Sequence, residues 1–264
     1  MSEFPWRPKP GFDLSGKQAL VVGCSTPVGR AIALAFAEVG ADVAVASATL
    51  DGDEVMEAKR IAKEVEKLGR KSFSQGWDVT LPTNVQVGLK QLLKEFGRPT
   101  VLVYAADHAL IRPIEKTGDA DFARVQSVNL AGAYYAARSF IKEFPAGETG
   151  RLIFVNTLFG ERGVENLSAY ASARAGVAGL SAALSQELGA RGITSNCIST
   201  GWMDYTEGRG PDDIGQNRLL RFIPMRRFGR ADEIAGLAVL LASDASGYLN
   251  GQVFHVDGGV GQHL

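Results

Sequence analysis

Short runs of apolar residues alternate along the chain with longer stretches in which apolar residues recur every three or four positions. The short runs are rich in Val, Ile and Leu, which is typical of buried β-strands. The longer stretches have the period of amphipathic helices, and one of them is apolar at positions 55, 58, 61, 62, 65 and 68. Strands that alternate with helices pair in parallel. The pattern therefore predicts a parallel sheet with helices on both faces.

The pattern predicts seven strands and six long helices. The predicted strands are Ala19–Val22, Val43–Ala46, Ser72–Gln75, Val101–Ala105, Leu152–Val155, Thr194–Ile198 and Val253–Val256. The predicted helices are Ala31–Val39, Val55–Leu68, Val85–Phe96, Asp121–Phe144, Ala169–Leu188 and Asp232–Leu241. An eight-stranded barrel is the competing topology, but it needs one more strand–helix unit than the sequence offers. We expect an α/β protein with a three-layer, doubly wound seven-stranded sheet.

Two segments lack the alternating pattern. Residues 1–14 are rich in proline and contain no apolar core of a signal peptide, so they are predicted to be a surface arm. Residues 201–230 are rich in Gly, Asp and Arg and follow the sixth strand at the carboxyl edge of the sheet. Ligands bind at this edge in open α/β folds, so this segment is predicted to be a substrate lid. Residues 15–264 are predicted to form one domain.

Composition limits the classes of binding partner and the cellular compartment that we expect for this protein. A net charge of −1 over 264 residues argues against nucleic acid or an anionic membrane as the main partner, and no apolar run is long enough to span a bilayer. Cys24 and Cys197 are isolated cysteines, which favours a reducing, cytoplasmic setting. The three histidines lie far apart in sequence, so no metal site is predicted.

Residues 151–174 carry the clearest candidate chemistry. A short strand ends at Thr157, and Tyr170 and Arg174 follow on a predicted helix, four residues apart and therefore on one face. A nearby positive charge favours the phenolate form of a phenol that normally titrates near pH 10. Such a phenol can exchange a proton with a carbonyl or alcohol oxygen while the Thr157 hydroxyl holds that oxygen. Taken alone, the same spacing is also typical of a solvated helix surface.

The turn after the first predicted strand contains Gly23 and Gly29, six residues apart. A glycine-rich turn between the first strand and the first helix lets a dinucleotide pyrophosphate approach the helix N-terminus, where free N–H groups favour anions. A glycine pair alone is weak evidence, but its place in the first strand–helix unit strengthens it.

Together these motifs resemble the short-chain dehydrogenase/reductase family, and within it the chain is similar to β-ketoacyl carrier-protein reductases. The resemblance covers roughly residues 14–259. The matching pieces are Gly23 and Gly29, Asp78-Val79, Asn129, Tyr170, Arg191–Asn196 and Gly251–Gly259. The resemblance implies a Rossmann sheet, a nicotinamide cofactor and a catalytic set of Asn129, Thr157, Tyr170 and Arg174.

The resemblance also implies the cofactor contacts. These are Gly23, Ser25, Thr26, Val28, Gly29, Ser47, Asp78, Val79, Ala105, Ala106, Tyr170, Arg174 and Gly201. An acidic residue at the end of the second strand would repel the phosphate of NADP, and Ser47 stands at that place. Thr26 stands where many NADP-using relatives carry Arg. We expect NADP, with NAD also allowed.

Several positions depart from the family pattern. Pro27 replaces the middle glycine of the first turn, and Asp107 ends the sequence Tyr-Ala-Ala-Asp where the family has Asn-Asn-Ala-Gly. A carboxylate is therefore expected near the cofactor phosphates. Thr157 and Arg174 occupy the catalytic serine and lysine positions, and Thr200 replaces a proline. Arginine keeps the positive charge and can bind two vicinal hydroxyls, but it cannot release its proton.

These observations predict an NAD(P)(H)-dependent oxidoreductase that transfers hydride between the nicotinamide and a carbonyl or secondary alcohol. Two alternatives remain: a cofactor-binding sensor or scaffold without redox turnover, and a family member turned to lyase or cyclase chemistry. Five aromatic or apolar residues indicate an apolar pocket for a small-molecule substrate, while core packing explains some of them equally well; they are Phe159, Trp202, Met203, Tyr205 and Phe222. The family resemblance further implies a homotetramer.

Overall fold

Seven parallel strands form one sheet in the order β3-β2-β1-β4-β5-β6-β7. The strands are β1 Gln18–Val22, β2 Asp42–Ala46, β3 Ser72–Gln75, β4 Val101–Tyr104, β5 Gly150–Thr157, β6 Ile193–Thr200 and β7 Val253–Val256. This computed structural model describes residues 12–206 and 213–262, and the side chains of 213–217 lie outside the description. The predicted seven-stranded parallel sheet is confirmed.

Eight α-helices lie in the described part of the chain. They are α1 Pro27–Glu38, α2 Gly52–Lys67, α3 Pro82–Glu95, α4 Asp119–Gln126, α5 Gly132–Lys142, α6 Ser168–Leu188, α7 Asp213–Phe222 and α8 Asp232–Ala242. Helices α1, α2 and α8 pack on one face of the sheet, and α3, α5 and α6 pack on the other. The expected three layers therefore form around two apolar cores.

The central strands read as continuous apolar runs because both of their faces are covered. Every residue of β4 is buried, and so is every residue of β6. Within β1, Val21 points into the core beneath α1 while Leu20 points into the core beneath α3. This two-sided burial is what a parallel sheet requires, because each strand must bury apolar side chains on both faces.

Some predicted boundaries are corrected by the structure. The long helix predicted over Asp121–Phe144 is α4 and α5 joined by a π-helical turn at Ser127–Ala131. Helix α7 lies within the predicted lid, where the sequence shows no clear periodicity. The predicted arm over residues 1–14 lies mostly outside the described residues. Leu14 is fully buried and its backbone N–H bonds Val39 O at 2.8 Å, so the packed structure includes Leu14.

The strand order reverses between β1 and β4. The chain builds β2 and β3 on one side of β1, and then crosses to β4 on the other side. Loops that leave β1 and β4 therefore diverge above the carboxyl edge of the sheet. A crevice opens at such a switch point, and open α/β folds bind ligands there.

Candidate active site

A cavity of about 270 Å³ lies at this switch point. Its walls come from the turn after β1, the loop after β4, the end of β5, the start of α6 and the segment after β6. Of the predicted catalytic residues, Thr157, Tyr170 and Arg174 line it. Of the predicted cofactor contacts, Thr26, Val28, Ala105 and Gly201 line it as well. Residues far apart in the sequence thus meet in one cleft.

Tyr170 and Arg174 lie on the buried face of the first two turns of α6. They are 6% and 3% exposed, so the alternative of a solvated helix surface is excluded for this pair. The guanidinium carbon of Arg174 lies 5.2 Å from the centre of the Tyr170 ring. Arg174 also donates from Nη2 to Asp107 Oδ1 at 2.5 Å, which forms an ion pair across 67 residues of sequence.

Burial has the largest effect on the pKa of the Tyr170 phenol and raises it above the ordinary 10.0. The Arg174 charge lowers that pKa, and the Asp107 carboxylate raises it again. Burial opposes the charge on Arg174, but Tyr170 and Asp107 outweigh it, so the pKa of Arg174 is raised from 12.5. The Arg174 charge thus favours the phenolate as the sequence predicts, but burial outweighs it and leaves the pKa of Tyr170 raised.

Thr157 ends β5 with its hydroxyl beside the cleft. Its Oγ1 donates to Thr200 O at 3.1 Å and accepts the Phe159 N–H at 3.4 Å. Strand β6 pairs with β5 so that Thr157 lies opposite Thr200, and this register brings the Thr157 hydroxyl to the backbone carbonyl oxygen of Thr200. The hydroxyl is buried and held at a fixed place at the end of the strand.

Asn129 lies in the π-helical turn and is fully buried. Its side chain exchanges two hydrogen bonds with the backbone of His108, accepting from N at 3.0 Å and donating to O at 2.9 Å. It also donates to Val125 O at 3.0 Å. Asn129 therefore fixes the loop after β4 next to Asp107. It does not line the cavity, so its contribution in this structure is to shape the site.

The turn after β1 approaches the loop after β4 closely. Gly23 has φ +78°, and a Cβ there would lie 2.2 Å from Ala106 N. Thr26 caps α1: its Oγ1 accepts the Gly29 N–H at 3.0 Å and donates to Gly23 O at 2.9 Å. Pro27 has no N–H, so its replacement of glycine removes a donor from the helix N-terminus. Because Gly23 and Gly29 lack a Cβ, the backbone segments around this turn can pack closely, at the helix N-terminus that a phosphate group would approach.

The predicted contacts at the ends of β2 and β3 are engaged within the protein. Ser47 is fully buried, donates to Thr49 O at 2.6 Å and accepts the Trp77 N–H at 3.2 Å. Asp78 Oδ1 accepts from the Thr80 hydroxyl at 2.6 Å. Val79 is buried beside it. These residues shape the edge of the sheet on the β2 side of the switch point.

Glu54 is a residue that the sequence reasoning missed. Its carboxylate accepts the N–H groups of Ala48 and Thr49, both at 3.0 Å, and so places a charge at the end of β2. Asp51 caps α2, so Glu54 stands at the third helical position, where a Glu often reaches back to backbone N–H groups. The spacing Asp-x-x-Glu was the signal that could have found it.

An aromatic wall covers part of the cleft. The rings of Phe159 and Trp202 are 4.5 Å apart, and Tyr205 lines the same cavity. Met203 is buried in the core instead, and Phe222 is 64% exposed. Three of the five residues predicted to form an apolar pocket therefore meet there.

Two buried polar groups at the cleft lack a protein partner within residues 12–206 and 213–262. They are the side-chain amide of Asn156 and Nε of Arg174. Both residues line the cavity. Unpaired buried donors and acceptors are costly, so they indicate a ligand with several hydrogen-bonding atoms. The amide, the guanidinium and the turn after β1, of which Thr26 and Val28 line the cavity, fit the ribose, amide and phosphates of a nicotinamide nucleotide.

In residues 12–206 and 213–262, no three metal-ligand side chains cluster. Among those same residues, no helix has both the length and the apolar character to cross a bilayer.

A doubly wound sheet with a buried tyrosine, a cation and a hydroxyl at its switch point is the arrangement expected of a Rossmann-fold oxidoreductase. The profile of the family described as enoyl-(acyl carrier protein) reductase matches residues 23–261. The chain belongs to the short-chain dehydrogenase/reductase family and is an NAD(P)-dependent oxidoreductase of it.

Individual relatives cover almost the whole chain. A 2-dehydro-3-deoxy-D-gluconate 5-dehydrogenase of Pseudoalteromonas atlantica is 34% identical, over 94% of this chain and 97% of its own. A 3-oxoacyl-(acyl carrier protein) reductase of Chlamydia trachomatis is 32% identical, over 94% and 98%. The crystal structure of a blue fluorescent protein from a metagenomic library, in complex with NADPH, has a TM-score of 0.86 at 29% identity, over 94% and 99%.

Proposed function

We propose that the enzyme reduces a small carbonyl compound with NADPH and oxidises the corresponding secondary alcohol in the reverse direction. One observation carries this proposal: Tyr170, Arg174 and Thr157 line the same cleft as residues 26–28, the part of the turn after β1 where α1 begins. This arrangement supports a proton donor at Tyr170 beside a nucleotide held by that turn, which hydride transfer to a carbonyl would require.

Residues on both sides of the switch point would hold the nucleotide. The turn containing Gly23, Thr26 and Gly29 would hold the phosphates, and Arg174 with Asn156 would bind the nicotinamide half. When bound, the reduced nicotinamide supplies a hydride to the carbonyl carbon. The NADPH complex of the structural relative supports NADPH as the cofactor.

Tyr170 is the proposed general acid. As the new C–H bond forms, the π electrons of the C=O bond move to oxygen, and that oxygen takes the phenolic proton of Tyr170. Water then reprotonates the phenolate. The Thr157 hydroxyl, now bonded to Thr200 O at 3.1 Å, would turn to donate to the substrate oxygen. Asn129 would contribute by fixing the loop that carries Asp107.

The cleft favours an apolar or aromatic carbonyl substrate. Phe159 and Trp202 form its wall, and Val164 and Leu167 extend the apolar surface. The segment of residues 201–230, which includes α7, is the proposed lid. The described charges at the cavity are the Asp107–Arg174 pair and Glu165, a balance that disfavours a substrate with a free carboxylate.

We propose a cytoplasmic homotetramer. Phe122 on α4 and Tyr134 on α5 are 47% and 46% exposed, and Tyr248, before β7, is fully exposed. Large apolar side chains on these two surfaces support two interfaces. Sedimentation at micromolar concentration should give the mass of four chains, and a monomer would contradict the assembly.

Nucleotide titration followed by a carbonyl panel tests the function. NADPH should bind at least as tightly as NADH, and aromatic ketones or aldehydes should consume it. Glu54→Gln is an informative variant because its carboxylate occupies the N–H groups of Ala48 and Thr49 at the end of β2. It should raise the affinity for NADPH relative to NADH. Absence of heat and of a thermal shift with both nucleotides would exclude the proposed function.

A further inference from the structure

Two of the departures from the family pattern contact each other. The side chains of Asp107 and Arg174, at positions where the family resemblance implies glycine and lysine, form an ion pair at 2.5 Å. The guanidinium is 3% exposed and the carboxylate 40% exposed, so the pair spans the wall of the cleft from core to solvent. A buried cation without a partner is strongly destabilising, and Asp107 supplies that partner.

The structure fixes both members of the pair. Arg174 also donates from Nη1 to Val155 O at 3.1 Å and from Nη2 to Ala106 O at 3.3 Å. On the other side, Asn129 holds the backbone of His108, the residue after Asp107. The guanidinium therefore has one orientation, with its plane spanning β5 and the loop after β4. Only its Nε lacks a partner within the described residues.

Asp107 and Arg174 are the two charges that act on Tyr170, and they act with opposite sign. Arg174 lowers the pKa of the Tyr170 phenol, whereas the Asp107 carboxylate raises it. Other titratable groups face this space from different elements. Glu165 and Tyr205 line the cavity, and Asp204 lies next to Tyr205. None of these three is among the groups that shift the pKa of Tyr170.

We propose that Asp107 is a positioning residue, which anchors the Arg174 guanidinium and offsets its charge at the Tyr170 phenol. Asp107 and Arg174 are thus one functional unit beside the phenol. Tyr170 keeps its proton at neutral pH and is ready to protonate a carbonyl oxygen. Alcohol oxidation needs the phenolate, so its rate rises with pH. This inference rests on the proposed function, since it assigns the regulation of the same phenol.

The first experiment needs neither cofactor nor substrate. Tyrosinate absorbance is followed against pH in the wild type, Asp107→Asn and Glu165→Gln, and the same protein with Tyr170→Phe is subtracted from each. Asp107→Asn should lower the pH at which Tyr170 ionises by about one unit or more, because a close like charge is removed. Glu165→Gln removes the same charge from the same cleft and should leave the titration unchanged. An Asp107→Asn titration that coincides with the wild type overturns the proposal.

The second experiment is a double-mutant cycle on turnover. Arg174→Lys alone should lower kcat about tenfold or more, equivalent to one unit of phenol pKa, because the new ammonium is drawn to Asp107. Asp107→Gly combined with Arg174→Lys restores the family pattern and should recover most of that loss. This double variant also tests the proposal if Asp107→Asn does not fold. Additive effects in this cycle would overturn the proposal.

The two failures are distinguishable. A wild type that binds no nucleotide, or turns over no carbonyl, excludes the proposed function, while the absorbance titration still reports whether Asp107 acts on Tyr170. A wild type that turns over normally, with a Tyr170 titration unaffected by Asp107→Asn, excludes only the role of Asp107.

Discussion

At the scale of single residues, the glycines on either side of β1 separate the cost of a left-handed backbone from the cost of a steric clash. Gly16 and Gly23 both have φ +78°, but a Cβ at Gly16 would meet nothing within 4 Å, whereas one at Gly23 would lie 2.2 Å from Ala106 N. Gly16→Ala should cost about 1–2 kcal/mol for the left-handed backbone alone. Gly23→Ala should add about 1–3 kcal/mol for overpacking. Denaturant unfolding measures both, and equal losses would contradict the close approach.

The sequence predicted individual site residues better than it predicted their partners. Tyr170 and Arg174 could be paired because a four-residue spacing on a helix places both on one face. The contact between Arg174 and Asp107 spans 67 residues and depends on how the loop after β4 folds. The sequence therefore predicted a carboxylate near the phosphates rather than beside the guanidinium. The raised pKa of Tyr170 was missed for the same reason, because burial is a property of the assembled fold.

At the scale of elements, the Tyr104 side chain packs closely against the start of α5. The Tyr104 hydroxyl donates to Val128 O at 2.5 Å, and a Cβ at Gly132 would lie 2.2 Å from that hydroxyl oxygen. Gly132→Ala should therefore destabilise the protein by about 1–3 kcal/mol, despite the higher helix propensity of alanine.

Two variants isolate the origin of that loss. In a Tyr104→Phe background, where the clashing oxygen is gone, Gly132→Ala should cost at least about 1 kcal/mol less. Gly179→Ala on α6 has open space around the new Cβ and should be neutral, or stabilise by up to about 1 kcal/mol. If Gly132→Ala costs the same with Tyr or Phe at position 104, the two elements are not coupled as described.

Element boundaries were harder to predict than element types, and the helix predicted over residues 121–144 shows why. Apolar periodicity continues through residues 121–144, so it predicted one helix. Within the π-helical turn at Ser127–Ala131, Asn129 bonds the backbone of His108, a contact across 21 residues that no local pattern encodes. By contrast, all seven strands were found, because two-sided burial forces a continuous apolar run on each central strand.

At the scale of the whole molecule, the reactivity of the two cysteine thiols reports whether the chain is folded or unfolded. Cys24 and Cys197 are fully buried, and burial raises the pKa of their thiols from 9.0 to about 12 and about 11. A raised pKa keeps a thiol neutral, so neither side chain should react with a thiol reagent at pH 8 in the folded protein. Both should react once denaturant unfolds the chain. A fast-reacting thiol in the native protein would contradict the two-core packing.

The central claim is that Tyr170 donates the proton during carbonyl reduction. The most direct measurement compares NADPH consumption by wild type, Tyr170→Phe and Tyr205→Phe with one carbonyl substrate. Both tyrosines line the cleft, but only Tyr170 lies against the Arg174 guanidinium. Tyr170→Phe should lower kcat by about 10²–10⁴-fold with NADPH affinity retained, and Tyr205→Phe should have a much smaller effect. Unchanged turnover in Tyr170→Phe would contradict the account.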